Sequence, residues 1–156
     1  MIQAILACDQ DWGIGKNGAL PWPHNPADLK WFKENTVNST VIMGRKTWES
    51  LPMKPLPKRE NIVVTTSSEV EGADVVVDVS SLLKLLPQIN HTKNVWIIGG
   101  AQLIERLLPY IDSIHLSRIE GVYGCDTFLP VESILDQFAL DTVNNSDLYI
   151  EHWIKK

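Results

Sequence analysis

Five short apolar runs constrain this chain more than any other feature: IQAILAC (2–8), TVIMG (40–44), NIVVTT (61–66), DVVVDV (74–79) and VWIIGG (95–100). They are rich in Val and Ile and do not alternate cleanly with polar residues, which predicts strands covered on both faces. Helical candidates at 26–36, 46–51, 80–87 and 101–108 lie between them. That alternation is the pattern of βαβ units around a parallel sheet. After residue 112 the runs IHLSRIE, FALDTV and LYIEHWI alternate more, with no long helix between the last two. The predicted fold is therefore α/β: a central, mostly parallel mixed β-sheet with flanking helices and an antiparallel C-terminal edge. At 156 residues it is expected to form one domain over 1–156, since two comfortable cores would need more chain.

Composition narrows the function classes. Hydrophobic residues make up 44% and charged residues 21%, with a net charge of −5, the profile of an ordinary globular protein. An acidic balance argues against nucleic acid, where phosphates demand clustered Lys and Arg. The short basic run KPLPKR (54–59) reads either as a solvated loop or as a site for a small anion. No stretch approaches the roughly eighteen apolar residues of a membrane span, and MIQAILACDQDWG lacks a basic leader, so the expected location is the cytoplasm. Cys8 and Cys125 lie far apart, and His24, His91, His115 and His152 are scattered, so no metal site is expected.

One helix poses a chemical question. In LPWPHNPADLKWFKENT, Asn25 followed by Pro26 reads as an N-cap with proline at the first helical position. Positions 28, 31, 32 and 35 then share a face, so Asp28 stands beside Trp31 and Phe32. A first-turn acid that complements the helix dipole is the plain explanation. The sharper one is a carboxylate in an apolar pocket, aimed at paired N–H donors.

Glycines mark three further places. GIGKNG (13–18) matches a dinucleotide fingerprint, but Pro21 and Pro23 follow where the fingerprint needs a helix. Residues 9–24 are read instead as a glycine-rich lid with Trp12 and Trp22 partly buried. VIMGRKTW (41–48) and WIIGGAQL (96–103) each end a strand in glycine and open a helix, the arrangement that receives phosphate. Either alone is an ordinary turn; two at the C-terminal edge of one sheet point to a dinucleotide along it. Thr65, Thr66 and Ser67 at another strand end add hydroxyls.

Taken in order, DQDWGIGKNGALPW, PADLKWFKENT, VIMGRKTWESLP, PLPKRENIVVT, VWIIGGAQL and GCDTFLP resemble the dihydrofolate reductase family along nearly the whole chain. The resemblance implies NADPH-dependent reduction of 7,8-dihydrofolate to tetrahydrofolate in one-carbon metabolism, with hydride passing to pterin C6 and a proton to N5. It implies that Asp28 grips the pterin, that Trp22 and Leu20 join it at the catalytic centre, and that Ile5, Ala7, Ile14, Leu20 and Phe32 wall the pocket. Arg59 is implied to hold the substrate's α-carboxylate, assisted by Lys33 and Lys54, with Ser117 bracing Asp28. For NADPH it implies contacts from Ala7, Ile14, Gly15, Asn17, Ala19 and Leu20, from Gly44, Arg45, Lys46 and Thr47, and from Thr65, Thr66 and Ser67. The last implied group is Ile98, Gly99, Gly100, Ala101, Gln102, Leu103 and Ile104, with a cis peptide joining the two glycines.

Three departures from the common bacterial pattern stand out: Ile104 in place of an aromatic residue, Ser117 in place of threonine, and one extra residue in WPHNP. A monomer that also binds antifolates such as trimethoprim or methotrexate is the expectation. The alternatives are a same-fold reductase of a pyrimidine intermediate of riboflavin synthesis, or a non-catalytic pterin- or nucleotide-binding protein.

Overall fold

The computed structural model describes residues 1–23, 25–67, 69–89, 94–145 and 148–156; His24, within WPHNP, and His91 fall outside them. An eight-stranded sheet forms its centre. In chain order the strands and helices are β1 (Ile2–Cys8), β2 (Gly13–Gly15), α1 (Pro26–Thr36), β3 (Thr40–Gly44), α2 (Arg45–Ser50), β4 (Glu60–Val64), β5 (Val75–Val77) and α3 (Val79–Ile89). There follow β6 (Val95–Gly99), α4 (Ala101–Leu107), a 3-10 turn (Leu108–Tyr110), β7 (Ser113–Arg118), β8 (Thr127–Phe128), α5 (Val131–Gln137), β9 (Phe138–Asn145) and β10 (Tyr149–Lys155). The sheet order is β5-β4-β3-β6-β1-β7-β10-β9. Every pairing from β5 through β7 is parallel, and the two that involve β10 are antiparallel.

The two-faced burial predicted from the apolar runs is what the strands do. Ala4, Ile42, Ile62 and Ile97 enter a core shared with Leu82 and Leu86 of α3 and Leu103, Ile104 and Leu107 of α4. Their neighbours Ile5, Val41, Met43, Val63, Trp96 and Ile98 enter a second core, against which Trp31 and Phe32 of α1 pack. Successive strand residues point to opposite faces, so an unbroken apolar run serves two layers at once.

Several boundaries shift for local reasons. The strand expected over 74–79 stops at Val77, because the Asp78 carboxylate accepts the Ser81 N–H at 2.8 Å and caps α3. The strand expected over 61–66 ends at Val64, where its edge partner β5 ends. Helix α3 runs on to Ile89 and contains Pro87. The short β2–β8 ribbon and α5 carry too little periodicity to be read from sequence. No described helix is long and apolar enough to cross a membrane.

Candidate active site

Helix α1 starts as its sequence dictates: Asn25 Oδ1 accepts the Asp28 N–H at 3.1 Å, with Pro26 in the first turn. This start holds Asp28 half-buried on the sheet side of the helix, near the buried Ser117 of β7. Burial raises the Asp28 pKa above its ordinary value, and the neighbouring Ser117 hydroxyl partly offsets the rise. The Ser117 Oγ closes no hydrogen bond of ordinary geometry, which leaves a buried hydroxyl beside the carboxylate with capacity to spare.

One helix length away, Arg59 donates from Nη1 to Thr36 Oγ1 at 3.0 Å and from Nε to the Pro57 carbonyl at 3.0 Å. Its guanidinium lies 5.9 Å from the centre of the Phe32 ring, and burial lowers its pKa. Asp28 and the Arg59 partner Thr36 are eight residues apart on α1, about 12 Å at 1.5 Å per residue. Trp31 and Phe32 lie on the apolar face between them. Lys54 instead donates to the Glu49 carbonyl at 3.3 Å, and Lys33 is exposed on α1.

The two glycine junctions meet. A Cβ on Gly44 would stand 3.8 Å from Gly100 N and 3.9 Å from Gly99 O, so the ends of β3 and β6 abut as bare backbone. Gly99 has φ +136, a conformation that L side chains rarely adopt, and the Gly99–Gly100 peptide is cis. Both glycines at the starts of α2 and α4 lack a side-chain cap, so no side chain at the cap position accepts the first-turn N–H groups. Arg45 and Lys46 are exposed there, and Arg45 Nε pairs with Glu49 Oε1 at 2.8 Å. Thr65 and Ser67 close a small turn at the end of β4. On α4, Gln102 is exposed, whereas Leu103 and Ile104 face inward into the core.

The segment 9–23 leads from the end of β1 to the start of α1. No helix follows GIGKNG; β2 pairs with β8 instead, and Lys16 bridges to Ala19. Asn17, Ala19 and Leu20 are exposed, Ile14 and Gly15 half-buried. Trp22 is buried against Tyr123, ring centres 6.2 Å apart. A cleft of about 380 Å³ lined by Trp22, Asn25, Pro26, Ile119 and Tyr123 lies beside the start of α1.

Comparison with known proteins shows the family of the chain. The dihydrofolate reductase family model matches residues 1–147. The chain belongs to the dihydrofolate reductase family. A dihydrofolate reductase of Bacillus subtilis (strain 168) is 43% identical over 132 residues, covering 83% of this chain and 76% of that protein. A bifunctional dihydrofolate reductase-thymidylate synthase of Glycine max is 42% identical over 147 residues, 82% of this chain. The chain spans only 28% of that plant protein's length. The Enterococcus faecalis dihydrofolate reductase, solved with NADP(H) and RAB-propyl, superposes with a TM-score of 0.84 at 32% identity, covering 100% of this chain and 96% of that one.

Within this dihydrofolate reductase scaffold, Asp9, Tyr123, Cys125 and Asp126, to which the sequence assigns no site role, tie the loop before α1 to the segment before β8. The Asp126 carboxylate accepts the Asn17 N–H at 2.9 Å, and its own N–H donates to the Gly15 carbonyl at 3.0 Å. DQDWG at a strand end is an Asx-turn pattern, and Asp9 Oδ1 accepts the Asp11 N–H two residues on at 2.9 Å.

Proposed function

We propose that this chain catalyses the NADPH-dependent reduction of 7,8-dihydrofolate to 5,6,7,8-tetrahydrofolate. The observation that carries the reading is the half-buried Asp28 beside Ser117 on an apolar wall, with Arg59 a helix length away. The substrate has the same layout, with paired N–H donors on a flat ring at one end and a carboxylate at the other.

The nucleotide fits the residues present. Gly44, Gly99 and Gly100 offer backbone that side chains would cover, beside uncapped helix starts and exposed Arg45 and Lys46. When bound, NADPH supplies the hydride for pterin C6. The chain's own part is to orient and to exclude water. Asp28 accepts the ring N3–H and 2-amino hydrogens in a charge-assisted pair, and the Ser117 hydroxyl adds a third polar contact. Because Asp28 grips the ring on the side away from N5, it favours protonation there through its negative charge and ordered water. Ile5 and Phe32 hold the ring flat, and Trp22 shields the site from bulk solvent. Arg59 takes the α-carboxylate in a fork that lysine cannot copy.

The proposed protein is a cytoplasmic, monomeric, single-domain enzyme whose pocket also accepts antifolates such as trimethoprim or methotrexate. Loss of reduced-nicotinamide absorbance on mixing the chain with NADPH and dihydrofolate tests the reading, with a substrate-free control. Turnover only with a pyrimidine intermediate of riboflavin synthesis would refute it.

A further inference from the structure

Asp9 is a carboxylate that is 1% exposed, and nothing in the chemistry above uses it. A buried carboxylate is stable only if its oxygens are hydrogen-bonded, and here the donors come from two separate segments. Oδ1 accepts the N–H of Asp11 at 2.9 Å and of Gly13 at 2.8 Å, both on the segment leading into β2. Oδ2 accepts the N–H of Tyr123 at 3.1 Å and the Cys125 thiol at 3.4 Å, both on the segment before β8. The Asp9 backbone adds an N–H donated to the Gly13 carbonyl at 2.9 Å, and its carbonyl accepts from Arg118 Nη1 at 3.3 Å. Burial opposes the charge, yet the N–H groups of Gly13, Tyr123 and Asp11 and the Cys125 thiol outweigh it and hold the pKa below the usual value.

The packing around Asp9 is closed as well. A Cβ on Gly13 would fall 2.3 Å from Cys125 Sγ, so the Cys125 side chain fills the space that glycine leaves. Tyr123, held by its backbone on Asp9, presents its ring to Trp22. Asp126 ties the same two segments further out, through Asn17 and Gly15.

We infer that Asp9 is a positioning residue for hydride transfer: its two oxygens lock the segment carrying Ile14 to Trp22 against the segment carrying Tyr123 and Cys125. The inference rests on the reductase reading. A group held this way acts by fixing geometry, and an ångström of misplacement near reacting atoms lowers rates by about a hundredfold.

Asp9→Asn tests it in the full chain. Asparagine keeps one acceptor oxygen and puts an N–H₂ group against one pair of donors, so one segment is released while volume is kept. Single-turnover hydride transfer, followed by nicotinamide absorbance, should slow at least tenfold, while the KM for dihydrofolate moves less than threefold. Amide hydrogens of Gly13 to Ala19 should exchange faster, while those of β3 and β6 keep their protection. Cys125→Ala, which removes one donor from a half-buried site, should shift both readouts the same way by a smaller factor. A lowered melting temperature with an unchanged hydride-transfer rate in Asp9→Asn overturns the inference alone. Failure of the unmodified chain to oxidise NADPH with dihydrofolate overturns the reductase reading and this inference with it.

Discussion

Gly13→Ala should destabilise this protein, and a second substitution more than a hundred residues along the chain, at Cys125, should undo the damage. The added methyl would lie 2.3 Å from Cys125 Sγ, 2.6 Å from Cys125 Cβ and 3.1 Å from Asp9 Oδ1. The first two distances are far inside van der Waals contact. Overpacking of this kind costs about 1–3 kcal/mol. The φ of Gly13 lies outside the left-handed region, so alanine also restricts the unfolded chain and returns about 0.4–1 kcal/mol. The net loss is about 1–2 kcal/mol, roughly 2–8 °C in Tm for a chain of this size. Urea denaturation of Gly13→Ala, Cys125→Gly and the double variant measures the coupling. Because the clash needs both side chains, the double variant should be no less stable than Cys125→Gly alone, a coupling of at least about 1 kcal/mol. Gly13→Ala with Cys125→Ala should fall between, since the Cβ at 2.6 Å remains. Simple additivity within about 0.5 kcal/mol would refute the packing argument.

Asp28→Asn should lower kcat/KM for dihydrofolate by about a hundredfold or more, from the loss of charge-assisted hydrogen bonds worth about 1.5–3 kcal/mol each. It should also raise stability at neutral pH, because the folded state raises the Asp28 pKa and so disfavours the charged form; a Tm that falls at pH 7 would contradict this. Arg59→Lys should raise the KM for dihydrofolate roughly tenfold with little change in kcat, and an unchanged KM would remove Arg59 from the binding site. His115 is held neutral, its pKa pushed down to about 4 by burial and then by His152, while the unfolded chain titrates near 6.5. The unfolded state therefore binds more protons below pH 6.5, and stability should fall as pH drops from 6.5 toward 4, a slope that His115→Gln should flatten in urea titrations. Glu151→Gln should cost about 3 kcal/mol by urea denaturation, since Glu151 Oε1 pairs with Arg118 Nε at 2.9 Å and accepts the Trp153 indole N–H at 3.1 Å in a largely buried setting.

The legible part of the fold was the part written in local pattern. The start of α1 follows from Asn25 and Pro26, and the parallel centre follows from Val- and Ile-rich runs buried on both faces. What escaped was short or set from elsewhere in the chain. The three residues of β2 and two of β8 are strands only because they pair with each other, and Asp78 ends a predicted strand by capping α3. Leu103 and Ile104 follow a glycine junction in sequence, yet the turn of α4 sends them into the core.

The sequence by itself marked the candidates for the proposed chemistry: an acid on an apolar helix face, glycines at two strand ends and, through the family resemblance, an arginine after a proline-rich loop. These can be read one segment at a time, because residue type and spacing along a helix or strand set what each can bury or bind. Only the tertiary structure decided their mutual placement. It brought Gly44 against Gly99 and Gly100, Ser117 beside Asp28, and Asp9 between segments more than a hundred residues apart. Such contacts depend on strand order and register, which arise from packing the whole chain and leave no mark in the spacing of any one segment.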